Sequence, residues 1–263
     1  MNKNNADFDI IDITPENIAD YGVCGYKDVK KHLELRRKID WYYVNYKNGL
    51  RIKALISKTG GYQGMIEYIP GKYAYRPVSA DNYMFIHCLF VGFKKEFKGK
   101  GFATKLINQC INDAKLMNLG GVAVVTRKGS FMAKKDIFIK PGFTQVDKAK
   151  PDFELFALKF ENSSQNPKFA IPEIDKDKYS KGLMIMRCAQ CPYSVKNVEE
   201  IIKTAENKLK IPVQLIELKN CEDIKKVPNP FGTFCVIYNG EVISHHPISN
   251  TRFENIMKSK LKY

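Results

Sequence analysis

The sequence predicts an α/β protein in which a mixed central sheet flanked by helices precedes a smaller α/β domain. Three observations predict it. Apolar and aromatic runs of strand length alternate with amphipathic stretches through the first 160 residues. A polar segment with two prolines, ENSSQNPKFAIPEIDKD, interrupts that alternation. The order then restarts as β-α-β-α-β-β-α over about 80 residues, enough for a small independent domain. The boundaries read this way are a first domain over 1–161, a linker over 162–178 and a second domain over 179–263.

In the first domain, residues 7–14 read as a short strand, and Pro15-Glu16-Asn17 opens a helical stretch. Residues 27–46 read as a longer helical region. Residues 50–57 and 62–69 are strands joined across Gly60-Gly61. YMFIHCLFV, at 83–91, is almost continuously apolar and reads as a strand buried on both faces. A loop and helix follow over 97–118, then a buried strand at 121–126 and a short helix at 134–140. Residues 142–148 and 153–160 form a closing antiparallel pair. In the second domain, strands are expected at 182–187 and 213–218, with a helix at 192–208 and a short helical piece at 221–226. A hairpin turns on Asn239-Gly240, and a last helix covers 250–261.

Composition narrows the function classes. With 44% hydrophobic residues the chain can build real cores. It has no apolar run of bilayer length, and its start has no apolar segment of the secretory kind. Seven cysteines at scattered spacings fit a reducing compartment better than a disulfide scaffold, so the expected location is the cytoplasm, with no membrane partner. The net charge of +15 is spread along the chain. With neither a recognition-helix motif nor a basic run interleaved with aromatics, it does not point to a nucleic-acid partner.

The most informative stretch is Phe97-Lys98-Gly99-Lys100-Gly101-Phe102-Ala103-Thr104. A buried strand feeds a basic, glycine-rich turn, and the turn opens an amphipathic helix. Glycines let a backbone approach a ligand closely. The first amides of a helix have no intrahelical partner, and the helix dipole adds positive charge there. Together these features suit a pyrophosphate. The spacing fits neither a P-loop nor the dinucleotide fingerprint.

Lys98-Gly99-Lys100-Gly101-Phe102-Ala103 resembles the Arg/Gln-x-x-Gly-x-Gly/Ala motif of the GNAT acetyltransferases, with lysine first. Phe138-Ile139-Lys140-Pro141-Gly142-Phe143 is similar to that family's Tyr-x-Lys-x-Gly-Phe signature, with phenylalanine in place of tyrosine. The resemblance spans nearly all of residues 1–160 and implies the GNAT acyl-CoA N-acyltransferase fold. It implies acetyl-CoA as co-substrate and transfer of acetyl to an amine, on a small molecule or a protein, in a ternary complex. It further implies that the pantetheine arm pairs with Leu89, Phe90 and Val91, that an amide near Val91 polarises the thioester carbonyl, and that Phe138 borders the cofactor. The family often draws the leaving thiolate's proton from the signature tyrosine, which Phe138 cannot supply.

For the base, Glu67 stands in an otherwise apolar strand; the alternative is that it faces solvent. His87 and Cys88 read as core residues. Trp41, Tyr42 and Tyr43 could line an acceptor pocket or serve packing. No metal-ligand set emerges, since a single Cys188-x-x-Cys191 is too sparse for zinc.

In the second domain, Cys191-Pro192-Tyr193-Ser194 ends a strand and opens a helix, a place that stabilises a thiolate. The motif and element order resemble the thioredoxin fold, with Cys191 at the glutaredoxin-type nucleophile and Ser194 at the second cysteine. Gly232 stands where that fold carries a cis-proline. The alternative function is therefore a thiol/disulfide or thiol-binding protein acting through Cys191, with the first domain as a CoA-binding accessory. The whole arrangement resembles the YoaP-type acetyltransferases.

Overall fold

The computed structural model describes residues 8–58, 61–92, 99–160 and 165–261. The elements of the first part are β1 (Phe8–Ile13), α1 (Ile18–Tyr21), α2 (Leu33–Tyr46), β2 (Arg51–Ser57), β3 (Gly61–Pro70), β4 (Val78–Ser79) and β5 (Tyr83–Val91). They continue with α3 (Phe102–Leu116), β6 (Gly121–Arg127), α4 (Asp136–Ile139), β7 (Thr144–Ala149), β8 (Phe153–Lys159) and β9 (Lys168–Phe169).

Among the described residues, seven of these strands form one sheet in the order β1-β2-β3-β5-β6-β8-β7. Every neighbouring pair is antiparallel except β5 and β6, which run parallel. A parallel step needs a crossover, and α3 supplies it. The helix buries Phe102, Leu106, Ile107, Cys110 and Ala114, a stripe at helical spacing. That stripe joins Ile66, Tyr68, Met84, Ile86, Leu89, Val122 and Val124 from the central strands in one core.

Two expectations are corrected. Residues 27–32 do not extend α2 backwards. The Asp28 carboxylate accepts from the backbone amides of Lys30 and Lys31 at 3.0 and 3.2 Å, a local bonding pattern that competes with helix. Lys168 and Phe169 lie in the segment read as linker, yet they form β9 and pair antiparallel with Val78 and Ser79 of β4.

The chain divides into two compact units. The first comprises Met1–Lys31, Tyr42–Ala74 and Val78–Phe169; the second comprises His32–Trp41, Tyr75–Pro77 and Ala170–Tyr263. The second unit is thus assembled from three stretches of sequence, which a single linear break does not describe.

Its elements after Ala170 are β10 (Leu183–Arg187), α5 (Pro192–Lys203), β11 (Val213–Glu217), α6 (Cys221–Ile224), β12 (Phe234–Tyr238), β13 (Glu241–Ser244) and α7 (Asn250–Leu261). They build a four-stranded sheet, β11-β10-β12-β13, parallel only between β10 and β11. Asn239 and Gly240 both take positive φ, 46° and 79°, as a tight hairpin turn demands. The helix expected over 192–208 is α only to Lys203 and continues as a π-helical turn through Lys208. Among the described residues no helix is long and apolar enough to cross a membrane.

Candidate active site

The parallel pairing of β5 with β6 stops at Ile86 and Val124, whereas β5 runs on to Val91. Beyond Ile86 the strand keeps β3 on one edge and loses β6 on the other. The Gly92 amide donates to Gln63 O at 2.8 Å on the β3 side. The Phe90 carbonyl points the same way, 2.5 Å from where a Cβ on Gly64 would stand. Backbone groups alternate along a strand, so those of Leu89 and Val91 face the open edge.

A cavity of about 350 Å³ lies against that edge. Leu89, Phe90 and Val91 form one wall, and Gly99, Lys100, Gly101, Phe102, Ala103 and Thr104 form another. Nine of the eleven residues expected to bind cofactor therefore meet in one cleft. Lys98 lies outside the described residues.

Gly101 caps α3 in the left-handed conformation, φ 77°, and has no side chain of its own to cap the first turn. Gly99 has φ 73°, and a Cβ added at either glycine would have no atom within 4 Å. Packing therefore does not require glycine at these positions. Their backbone conformation does. These features fit a pyrophosphate.

Phe138 does not line this cavity, which corrects its expected cofactor contact. It is wholly buried and stacks edge-on against Phe143, with ring centroids 5.5 Å apart. The third wall comes instead from its neighbours Asp136 and Ile137 and from Lys140. On so short a helix, burying Phe138 turns these neighbours outward. The lysine of the signature motif was the sequence signal for this wall.

Glu67 is fully buried, which settles the choice between core and solvent face. Its Oε1 lies 3.3 Å from His87 Nδ1, with both side chains at 0% exposure. A bulge makes the meeting possible. Glu67 sits opposite Cys88, but Tyr68 sits opposite Ile86, so His87 is the extra residue on β5. Before the bulge Met84 and Ile86 enter the core under α3; after it Leu89 does. The pair therefore occupies the other face of the sheet, one residue ahead of the cavity wall. Tyr62 lies on that face too, its ring 6.3 Å from that of Phe90, and burial pushes its hydroxyl pKa well up.

In the aromatic cluster on α2, Trp41 and Tyr42 are buried and Tyr43 is exposed. Trp41 is buried edge-on to Tyr75, Tyr42 donates to Ile13 O, and Tyr43 donates to Pro15 O. In the second unit, Cys191 caps α5, Cys188 is fully buried, and the Ser194 hydroxyl lies 2.6 and 2.7 Å from the carbonyls of Cys191 and Cys188. None of the seven cysteines is paired in a disulfide.

A mixed sheet that opens at one parallel step, beside a glycine-rich helix start, is the arrangement that the sequence resemblance to the GNAT acyltransferases implies. Over 252 residues the chain is 30% identical to the uncharacterized N-acetyltransferase YoaP of Bacillus subtilis (strain 168), covering 95% of this chain and 98% of that protein. The YoaP-like family matches residues 212–255. The chain belongs to the YoaP family of N-acetyltransferases. Similar solved structures include the acetyltransferase YncA of Salmonella typhimurium with its cofactor acetyl-CoA. It is 12% identical, with 60% of this chain and 96% of that one covered and a TM-score of 0.43. An N-acetyltransferase of Staphylococcus aureus Mu50 is 16% identical, with 59% and 100% covered and a TM-score of 0.43.

Proposed function

We propose that the chain transfers the acetyl group of acetyl-CoA to an amine, with both substrates bound together. The observation that carries this reading is the cleft between the open edge of β5 and the first turn of α3. The helix start, with Lys100 and Lys140, suits the pyrophosphate, and the Leu89 and Val91 backbone suits an amide-bearing arm. The acetyl thioester supplies the activated acyl group.

Acetyl transfer needs the amine unprotonated and close. The Glu67–His87 pair is the group we assign to that proton. An imidazole held by a carboxylate at one ring nitrogen is oriented to act at the other. Phe138 has no proton to give, so the thiolate leaves without help from that position.

Isothermal titration with acetyl-CoA, with ATP as an anionic control at the same salt concentration, tests the reading. Micromolar binding selective for acetyl-CoA supports it. Binding no tighter than that of ATP reduces the site to a basic turn.

A further inference from the structure

A second cavity, of about 210 Å³, opens in the first unit at the far end of α3. Arg51 of β2, Tyr68 of β3, Met84 of β5, and Asp113 and Leu116 of α3 line it, together with Met117. It is distinct from the proposed cofactor cleft. Met84 lies about 20 Å along β5 from the wall formed by Leu89, Phe90 and Val91. Leu116 lies about 20 Å along α3 from Ala103. The floor is closely built: at Gly49, φ 90°, an added Cβ would stand 2.9 Å from the Pro70 ring, and the Met117 methyl is 4.0 Å away.

Arg51 and Asp113 bring opposite charges to this one cavity, yet no ion pair joins them. Asp113 Oδ2 accepts from the Tyr68 hydroxyl at 2.5 Å and lies 3.5 Å from Lys53 Nζ, which sits closer to Asp12. Among the described residues Asp113 Oδ1 has no hydrogen-bond partner, and the side chain is 26% exposed, so a ligand can reach it. Arg51 lies over the Tyr46 ring at 4.3 Å and donates through Nη1 to the carbonyls of Tyr46 and Leu50 at 3.1 and 2.8 Å. Among the described residues no carboxylate pairs with it, and Nε and Nη2 stay uncommitted on a half-buried side chain. Each charged group is thus fixed by its own neighbours rather than by the other. Asp113 also belongs to the last turn of α3, where the helix dipole favours a cation. Met84 adds a buried apolar surface, and Leu116 and Met117 stand 82% and 49% exposed, apolar area that a ligand would take out of water.

We infer that this cavity binds a free amino acid with an apolar side chain. The ligand carboxylate goes to the uncommitted N–H groups of Arg51, its ammonium to Asp113 Oδ1, and its side chain against Met84, Leu116 and Met117. A simple carboxylate would leave Asp113 beside a like charge, and a simple amine would do the same to Arg51. A ligand carrying both charges on adjacent groups complements both. Clefts for drug-sized molecules run to about 300–1,000 Å³, so this smaller cavity suits a single amino acid rather than a peptide or a nucleotide. The site is separate from acetyl transfer, and the inference does not depend on that reading.

The test titrates the full chain with L-leucine by calorimetry. Beside it run isoamylamine, which is leucine without its carboxylate, isocaproate, which is leucine without its ammonium, and glycine, which lacks the side chain. Leucine is expected to bind about tenfold or more tighter than each of the three, because every analogue leaves one group of the site without its partner. Arg51→Gln and Asp113→Asn should each weaken leucine by a similar factor, with circular dichroism showing the variants folded. Leu116→Glu alters a rim residue that the fold does not bury and decides the matter should either of those variants unfold. It too should weaken leucine, by replacing apolar contact with a charge. A wild type that binds no leucine overturns the inference. So does an analogue that binds as tightly as leucine, or a leucine affinity unchanged in any of the three folded variants.

Discussion

The carboxylate of Glu67 and the ring of His87 face each other at 3.3 Å, wholly out of solvent, at the one position where β5 slips register against β3. Neither group would be stable there alone, because an unpaired buried polar or charged side chain is costly. Glu67→Gln keeps the shape and removes the proton acceptor. The expected outcome is a fall in kcat of about 10²- to 10⁴-fold, with acetyl-CoA affinity intact. Steady-state kinetics with parallel calorimetry reads the split. Breaking a buried pair can cost about 3–5 kcal/mol, so rates belong at a temperature where circular dichroism shows the variant folded. An unchanged kcat would leave the pair a purely structural role.

Gly101 gives a cleaner probe of the proposed cofactor site, because a Cβ there would meet no atom of the described residues within 4 Å. Gly101→Val forces a branched side chain into φ 77°, at a stability cost of about 1–2 kcal/mol. It also fills the approach to the first amides of α3. Acetyl-CoA affinity should fall at least about tenfold, equivalent to 1.4 kcal/mol, while Tm drops modestly. Calorimetry finding equal affinity would place the cofactor elsewhere.

The cleft at the start of α3 was largely legible because its signals are local. A glycine-basic turn, an apolar strand before it and an amphipathic helix after it are read from adjacent residues, and they converge on one cavity. The Glu67–His87 pair was not legible as a pair. It depends on a one-residue bulge in β5, which flips later side chains across the sheet and leaves no trace in an apolar run such as YMFIHCLFV. Phe138 misled because a family motif gives a position in sequence, whereas burial beside Phe143 depends on how α4 lies on the core. The non-local assembly of the second unit, with Tyr75–Pro77 and His32–Trp41 drawn from far upstream, likewise has no signature in a linear reading.

Burial also determines what a restored signature tyrosine would do. Phe138 is 0% exposed, in a core with Phe143 and Phe156. Phe138→Tyr places a hydroxyl there without a designed partner, at a cost of about 1–3 kcal/mol. The expected result is a lower Tm and no gain in kcat. A clear rise in kcat would mean that the ring can reach the thioester after all.

The second unit offers a pH test. Burial raises the Glu217 pKa, but hydrogen bonds from Arg187 and the charges of Arg187 and Arg37 outweigh it, so the carboxyl titrates below its ordinary value of 4.5. Arg187 reaches it at 2.7 and 2.9 Å and Arg37 at 3.0 Å. The unfolded chain therefore takes up this proton more readily than the folded one, and acid favours unfolding. The stability that Glu217 confers is complete above about pH 4.5 and is lost as pH falls through its lowered folded-state value. Glu217→Gln should accordingly melt below wild type at pH 7, more than an exposed pair alone would explain, because Arg187 is only 2% exposed and would keep Glu199 as its remaining carboxylate. The gap in Tm between the two proteins should narrow as the buffer is taken below pH 4.5 and through the lowered folded-state value at which the Glu217 carboxyl takes up its proton. A gap that stays constant across that range would show that shape and hydrogen bonding, rather than charge, hold Glu217 in place.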